Sequence, residues 1–453
     1  MHADDLLRYP LRARRARLLI QPKQQQKQPD PRRTMRIPRP SSKYRWAIRA
    51  GIAAAMCSLF ASVVTPTGTA APTGNAGQNP YPLDNTLRMN QMQTMGTHNS
   101  YHTGLIPQGL PSSVTANFPG YTLEQITKAL DYRHKPLREQ LGNQGVRHLV
   151  FDVYADPDGG RYAEAPMLAE VGAPTTMADP AWKEPGLKVF HVPQVDQQTS
   201  CVKFRQCLGE LKTWSDQNPG HLPFMVVVEI KDIDVMGTEP HPPLTPWGPA
   251  DYNRLDAEIR SVLGNKLITP DDVQGKHPTL EAAVKDNAWP TLADSRGKFM
   301  FISCNCLVDD RHRVDYLRPD GSLKGRVMFP ASEPGNPDAA VVRVENPKDY
   351  AKIADLVRQG YIVRTRADAN AVTGDIARRD AAFASGAQIV STDFPEPDPR
   401  YDPTFQVDVP GGTPARCNPV NAPAKCTSLD IENPEHLSNL GGSPHGGKPN
   451  SGR

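Results

Sequence analysis

The sequence predicts a single β/α barrel of the TIM type, regular or distorted, between a disordered N-terminal leader and a C-terminal tail. Two observations predict it. From about Leu83 to Val409, short runs rich in Val, Ile and Phe alternate with longer segments of helical character. Several short runs are apolar throughout, as in Phe-Met-Val-Val-Val at Phe224 to Val228, which suits strands buried on both faces of a parallel sheet. Eight strands are expected: Gln93 to Thr97, Arg147 to Val153, Leu187 to His191, Phe224 to Ile230, Lys298 to Ser303, Arg326 to Pro330, Tyr361 to Arg366 and Ala387 to Thr392. Eight parallel strands close a barrel.

The helices expected between them are Thr122 to Leu130, Val202 to Gln217, Tyr252 to Leu263, Pro347 to Gln359 and Ala377 to Ser385. The last two stop at Gly360 and Gly386, as helices ending in a left-handed residue do. The Pro- and Gly-rich stretches Glu239 to Pro249 and Glu333 to Pro337 read as surface loops. No second domain and no further repeat is expected within 83–409, and 410–453 reads as a mostly disordered tail.

Residues 1–70 read as an export leader. Arg45 and Arg49 precede an apolar run, Gly51 to Val64, long enough for a signal h-region and too short to span a bilayer. Gly68 and Ala70 follow, so cleavage after Ala70 is expected, with Met35 as the start of an ordinary signal peptide. The first 49 residues hold only three acids, Asp4, Asp5 and Asp30, so the chain's formal charge of +3 describes the leader. Nucleic acid is therefore not an expected partner. The expected location is extracellular.

Beyond Cys57 in the leader six cysteines remain, an even number that favours disulfides in an oxidising compartment over a zinc site. Cys201 with Cys207 and Cys417 with Cys426 are the local pairs. Cys304 and Cys306 are left open, because a bridge within Cys-Asn-Cys is very tight.

A barrel of this type builds its active site at the carboxyl ends of the strands. The expected exits carry His98 and Asn99 on the first strand, Asp152 on the second, His191 on the third, and Glu229 then Lys231 on the fourth. Arg364 and Arg366 share a face of the seventh, and Thr392 and Asp393 end the eighth. Two histidines with hard oxygen ligands and cations suit phosphodiester cleavage: one imidazole as general base, the other as general acid. Glu229 has a structural alternative, a buried ion pair with Lys231 or an arginine. His102, His134, His148 and His312 are assigned to surface or packing.

The motifs resemble the bacterial calcium-dependent phosphatidylinositol-specific phospholipases C, and more distantly the catalytic barrel of eukaryotic phosphoinositide phospholipases C. The resemblance runs from Met95 to about Pro395. Its carriers are Met-Gly-Thr-His98-Asn99-Ser-Tyr-His, the stretch Gly145 to Gly160 around Asp152, Val-Phe-His191 through Cys201, Val-Val-Val-Glu229-Ile-Lys-Asp, Val-Arg-Thr-Arg366-Ala-Asp, and Ser-Gly386 through Asp393. It implies His98 and His191 as the catalytic pair and Asn99, Asp152 and Glu229 as calcium ligands. Lys231 and Arg366 are the expected substrate contacts. The implied reaction is attack by the inositol 2-hydroxyl, release of diacylglycerol and formation of a cyclic inositol phosphate, by a monomer touching a membrane surface transiently. Where the family pattern has Glu two residues before the aspartate, this sequence has Val150. Loss of that carboxylate predicts weaker calcium binding. The other readings are a glycerophosphodiester phosphodiesterase or sphingomyelinase D-like barrel, for which the opening His-Arg-Gly element is lacking, and a head-group-binding barrel with little turnover.

Overall fold

The computed structural model describes residues 80–437 apart from 235–237, 239–242, 245, 305–310 and 370–373. The expected leader (1–70), Cys306, residues 239–242 and 245 of the Glu239 to Pro249 loop, and the end of the tail lie outside the described residues.

Among the described residues eleven strands form one sheet. In chain order they are β1 (Met92–Thr97), β2 (His148–Asp156), β3 (Gly186–Val189), β4 (Phe224–Lys231), β5 (Leu267–Ile268), β6 (Phe299–Cys304), β7 (Met328–Pro330), β8 (Val341–Arg343), β9 (Ile362–Arg366), β10 (Ile389–Thr392) and β11 (Ala415–Cys417). Parallel pairing runs β7-β6-β4-β2-β1-β10-β9-β8. A single parallel bridge from Ala331, just past β7, to Val341 of β8 closes the ring. The result is an eight-stranded parallel barrel, distorted at this one-bridge seam. Leu, Ile, Val and aromatic side chains of strands and helices form its continuous core.

Seven of the eight expected strands belong to the ring. The exception is the strand ending at His191: β3 pairs antiparallel with the upper part of β2, Gly186 beside Asp156 and Val189 beside Val153. Only short 3-10 turns lie between β2 and β3, and a parallel crossover normally needs a full helix. The eighth ring position belongs to β8, three residues hidden among loop residues. The five expected helices form with ends shifted by up to three residues, as Leu123–Leu130, Phe204–Gln217, Pro249–Leu263, Tyr350–Arg358 and Ile376–Ala384.

The segment expected to begin a disordered tail is ordered through residue 437. β11 pairs antiparallel with β1, the Cys417–Cys426 disulfide ties it to the helix Ser428–Ile431, and Glu432 is buried against Arg147 at the amino end of β2. A single buried carboxylate with a bidentate arginine partner outweighs the polar composition around it. Cys201 and Cys207 are also bridged, and Cys304 is disulfide-bonded.

Candidate active site

The inner face of the barrel follows from period two and the strand register. β2 turns His148, Val150 and Asp152 inward beside Met225, Val227 and Glu229 of β4. Gly96 of β1 lies against His148, where an added Cβ would come within 2.2 Å of the His148 carbonyl oxygen. Glycine here lets β1 approach β2 and sets the height at which the next residues leave the barrel. Asn99 then takes a left-handed backbone, φ 49°, a conformation asparagine tolerates better than most residues. His98 N–H bonds to the Thr392 carbonyl and Ser100 N–H to that of Val150, so the turn is pinned between β10 and β2.

His98 and His191 are both at the rim, each backed by a carboxylate. His98 Nδ1 lies 2.9 Å from Asp393 Oδ1, and the other Asp393 oxygen accepts a 2.7 Å hydrogen bond from Arg366. Burial, then the Arg366 guanidinium, hold His98 down to about 4 against the pull of Asp393. His191 Nδ1 lies 2.7 Å from Asp196 Oδ2. β3 runs back down β2, so His191, two residues beyond it, returns toward the level of Asp152. The Tyr132 ring is the shared neighbour, 5.9 Å from the His98 ring and 6.4 Å from the His191 ring.

Asp196, His102 and Tyr132 had no place in the expected site. Asp196 Oδ1 meets His102 Nε2 at 2.7 Å, so His102 is not a surface residue but lies buried behind His191. Burial opposes charge on both partners, yet each stabilises the other: His102 is raised, and Asp196 is held down to about 2. His134, also assigned to surface or packing, is 2.8 Å from the His98 carbonyl through Nε2. Asp196 lies within the stretch His191 through Cys201, but nothing in its local sequence assigns it a role. It reaches His191 only because Gln194 is left-handed, φ 65°, and Val192 and Asp196 exchange both backbone hydrogen bonds.

Lys231 and Arg366, the expected substrate contacts, are paired within the protein. Arg366 holds Asp393, and Lys231 spans Glu229 Oε1 at 2.8 Å and Asp152 Oδ2 at 3.2 Å. The structural alternative for Glu229 is thus realised. Burial lifts Asp152 to about 6 although Lys231 opposes it; for Glu229 burial is outweighed by Lys231 and the carboxyl is lowered. The donor set also fits a hard cation, because Asn99 Oδ1 and Asp152 Oδ1 are buried with no hydrogen-bond partner among the described residues. Val150 is buried one layer deeper on the same face as Asp152 and supplies no oxygen.

The loop Leu105 to Tyr121, just past His98, is largely packed down. Leu110, Val114 and Phe118 are buried against Ile126, Leu130, Val192 and Val195. Among the described residues no helix is long and apolar enough to cross a membrane.

Residues 87–419 match the family model for the calcium-dependent phosphoinositide phospholipases C. No curated protein matches the sequence. Solved structures similar to the chain include the apo calcium-dependent phosphoinositol-specific phospholipase C of a Pseudomonas species, 15% identical, covering 75% of this chain and 98% of that one with a TM-score of 0.47. Another is the calcium-dependent phosphatidylinositol-specific phospholipase C of Streptomyces antibioticus, 18% identical over 68% of this chain and 96% of that one, TM-score 0.42. The phosphatidylinositol-specific phospholipase C of Listeria monocytogenes is 13% identical over 69% and 91%, TM-score 0.33. With the family model spanning the whole barrel and both histidine exits, the chain belongs to the calcium-dependent phosphoinositide phospholipase C family.

Proposed function

We propose that the protein is a secreted lyase that cleaves phosphatidylinositol-type phosphodiesters to diacylglycerol and a cyclic inositol phosphate. The observation that carries this is the pair of histidines, each with Nδ1 engaged by a buried carboxylate and each with its ring near that of Tyr132. With Nδ1 occupied, Nε2 is the nitrogen available for proton transfer. His98, neutral near pH 7, takes the proton of the inositol 2-hydroxyl as that oxygen bonds to phosphorus. The bond from phosphorus to the glycerol oxygen breaks, and His191 gives that oxygen its proton.

Asn99, Asp152 and Glu229 are the residues that would hold calcium. When bound there the ion supplies positive charge to a phosphate oxygen and lowers the hydroxyl's pKa. Lys231 is a further cation at the same rim, and Arg366 acts through Asp393.

Secretion is supported by the disulfides Cys201–Cys207 and Cys417–Cys426 and by the apolar run after Arg49. Transient membrane contact is supported by Tyr350 and Ile376, which are exposed at the starts of the helices after β8 and β9. In a β/α barrel those ends lie on the catalytic rim. The test is diacylglycerol release from phosphatidylinositol vesicles at millimolar calcium, with His98→Ala and His191→Ala as controls. Equal release by the wild type and both variants would overturn the proposal.

A further inference from the structure

Two carboxylates at the rim share one ammonium. Glu229 and Asp152 are register partners on adjacent strands, and Lys231 Nζ lies 2.8 Å from one and 3.2 Å from the other. All three side chains are nearly buried, with Lys231 the most exposed at 13%. The layer beneath is apolar, because Val150 and Val227 fill it. The carboxylates are therefore held together by Lys231. A divalent ion engaging both would have to share its position with an ammonium, and two cations a few ångströms apart in a weakly screened site repel strongly.

We infer that Lys231 is a tethered competitor for the cation: its ammonium occupies the cation position between Glu229 and Asp152, and a divalent ion enters by displacing it. The lysine stem is flexible enough to swing out, and Asn99 Oδ1 and Asp152 Oδ1, both without a hydrogen-bond partner among the described residues, remain for the ion. On the reading proposed above, the displaced ammonium becomes available to a substrate phosphate oxygen. Calcium binding then both completes the site and releases its second cation. The exchange predicts weak calcium affinity, on the order of 10⁻⁴ to 10⁻³ M.

Calcium chloride titrated by calorimetry into the purified full chain, Lys231→Met and Lys231→Gln tests this. Both variants are expected to bind calcium about tenfold or more tightly than the wild type. In the wild type, acetylation of Lys231 followed by mass spectrometry is expected to accelerate several-fold at saturating calcium. Unchanged or weaker calcium binding in a folded variant, binding by none of the three, or Lys231 labelling indifferent to calcium overturns the inference. Should neither variant fold, the labelling experiment decides alone. Neither readout depends on turnover, so failure to release diacylglycerol would count against the proposed function and leave this result standing.

Discussion

Asp196 joins two histidines, with one oxygen 2.7 Å from His191 Nδ1 and the other 2.7 Å from His102 Nε2. The bond to His191 leaves Nε2 as the working nitrogen and stabilises a positive imidazole before it gives up its proton. Asp196→Asn is therefore expected to lower kcat about 10²-fold or more with little change in KM. If Asp196 acts through the general acid, an aryl phosphodiester with an activated leaving group should rescue Asp196→Asn and His191→Ala alike, and His98→Ala much less. A uniform loss on both substrates would reduce Asp196 to a structural role.

The same carboxylate predicts a stability window. His102 is raised in the fold, so its contribution is complete below its ordinary value of about 6.5 and is lost as pH rises through the raised value. Asp196 is lowered, so its contribution is present above about pH 4 and is lost as pH falls toward 2. The wild type should exceed His102→Gln in Tm by the largest margin between about pH 4 and 6.5, with the margin shrinking on either side. A margin independent of pH across that range means that the pair is not charged.

What the sequence revealed and what it hid follow from the range of the interactions. Val-rich runs announce buried parallel strands because burial on both faces leaves no polar alternation, and β4 was legible for that reason. β8 was not, since Val341–Arg343 is too short for any period. The direction of β3 is set by pairing with Val153 to Asp156, beyond reach of its own residues. In the site, His98, His191, Asp152 and Glu229 stand at or near strand ends and could be found by position. Asp196, His102 and Tyr132 meet only through the folded chain, with His102 and Asp196 94 residues apart. Lys231 was visible, but its bridging of Asp152 and Glu229 depends on the register of two strands.

Glu432 explains why the chain beyond residue 410 is ordered. It receives hydrogen bonds from Arg147 Nε at 2.9 and 3.0 Å and from the Leu222 backbone at 3.0 Å, with both side chains buried. Glu432→Gln leaves Arg147 charged without its partner, which typically costs about 3–5 kcal/mol. Truncation after residue 410 removes the carboxylate and β11 together and should yield insoluble protein. Urea unfolding of Glu432→Gln within about 1 kcal/mol of the wild type would show that water replaces the pair cheaply.

Tyr350 and Ile376 are 61% and 54% exposed at the starts of neighbouring helices. Large apolar groups in water at a catalytic rim suit shallow insertion into a lipid interface. Tyr350→Ser with Ile376→Ser should reduce vesicle binding and turnover of vesicle substrate several-fold while sparing a soluble phosphodiester. Ile106→Ser with Leu110→Ser should instead lower Tm, because Leu110 is buried. Vesicle sedimentation separates the two pairs, and loss of binding only in the second would move the lipid-facing surface to that loop.

Val150→Glu places a carboxylate below Asp152 and beside Val227, in a layer whose described register partners are apolar. Without a metal the new group faces burial and two acidic neighbours that already share Lys231, so its pKa should rise. A raised carboxyl destabilises the fold as pH climbs above its ordinary value, and the variant is expected to lose roughly 2–4 kcal/mol at about pH 7.5 and less at about pH 5. Calcium reverses the sign of the local problem by supplying the charge that a third carboxylate needs. Saturating calcium should therefore raise the Tm of Val150→Glu more than that of the wild type, since the stabilisation grows with the logarithm of one plus the ratio of calcium concentration to dissociation constant. Thermal melts in calcium and in chelator measure this directly. If calcium stabilises both proteins equally, the introduced carboxylate does not reach the ion, and the apolar layer under Asp152 rather than the missing carboxylate sets the depth of the site.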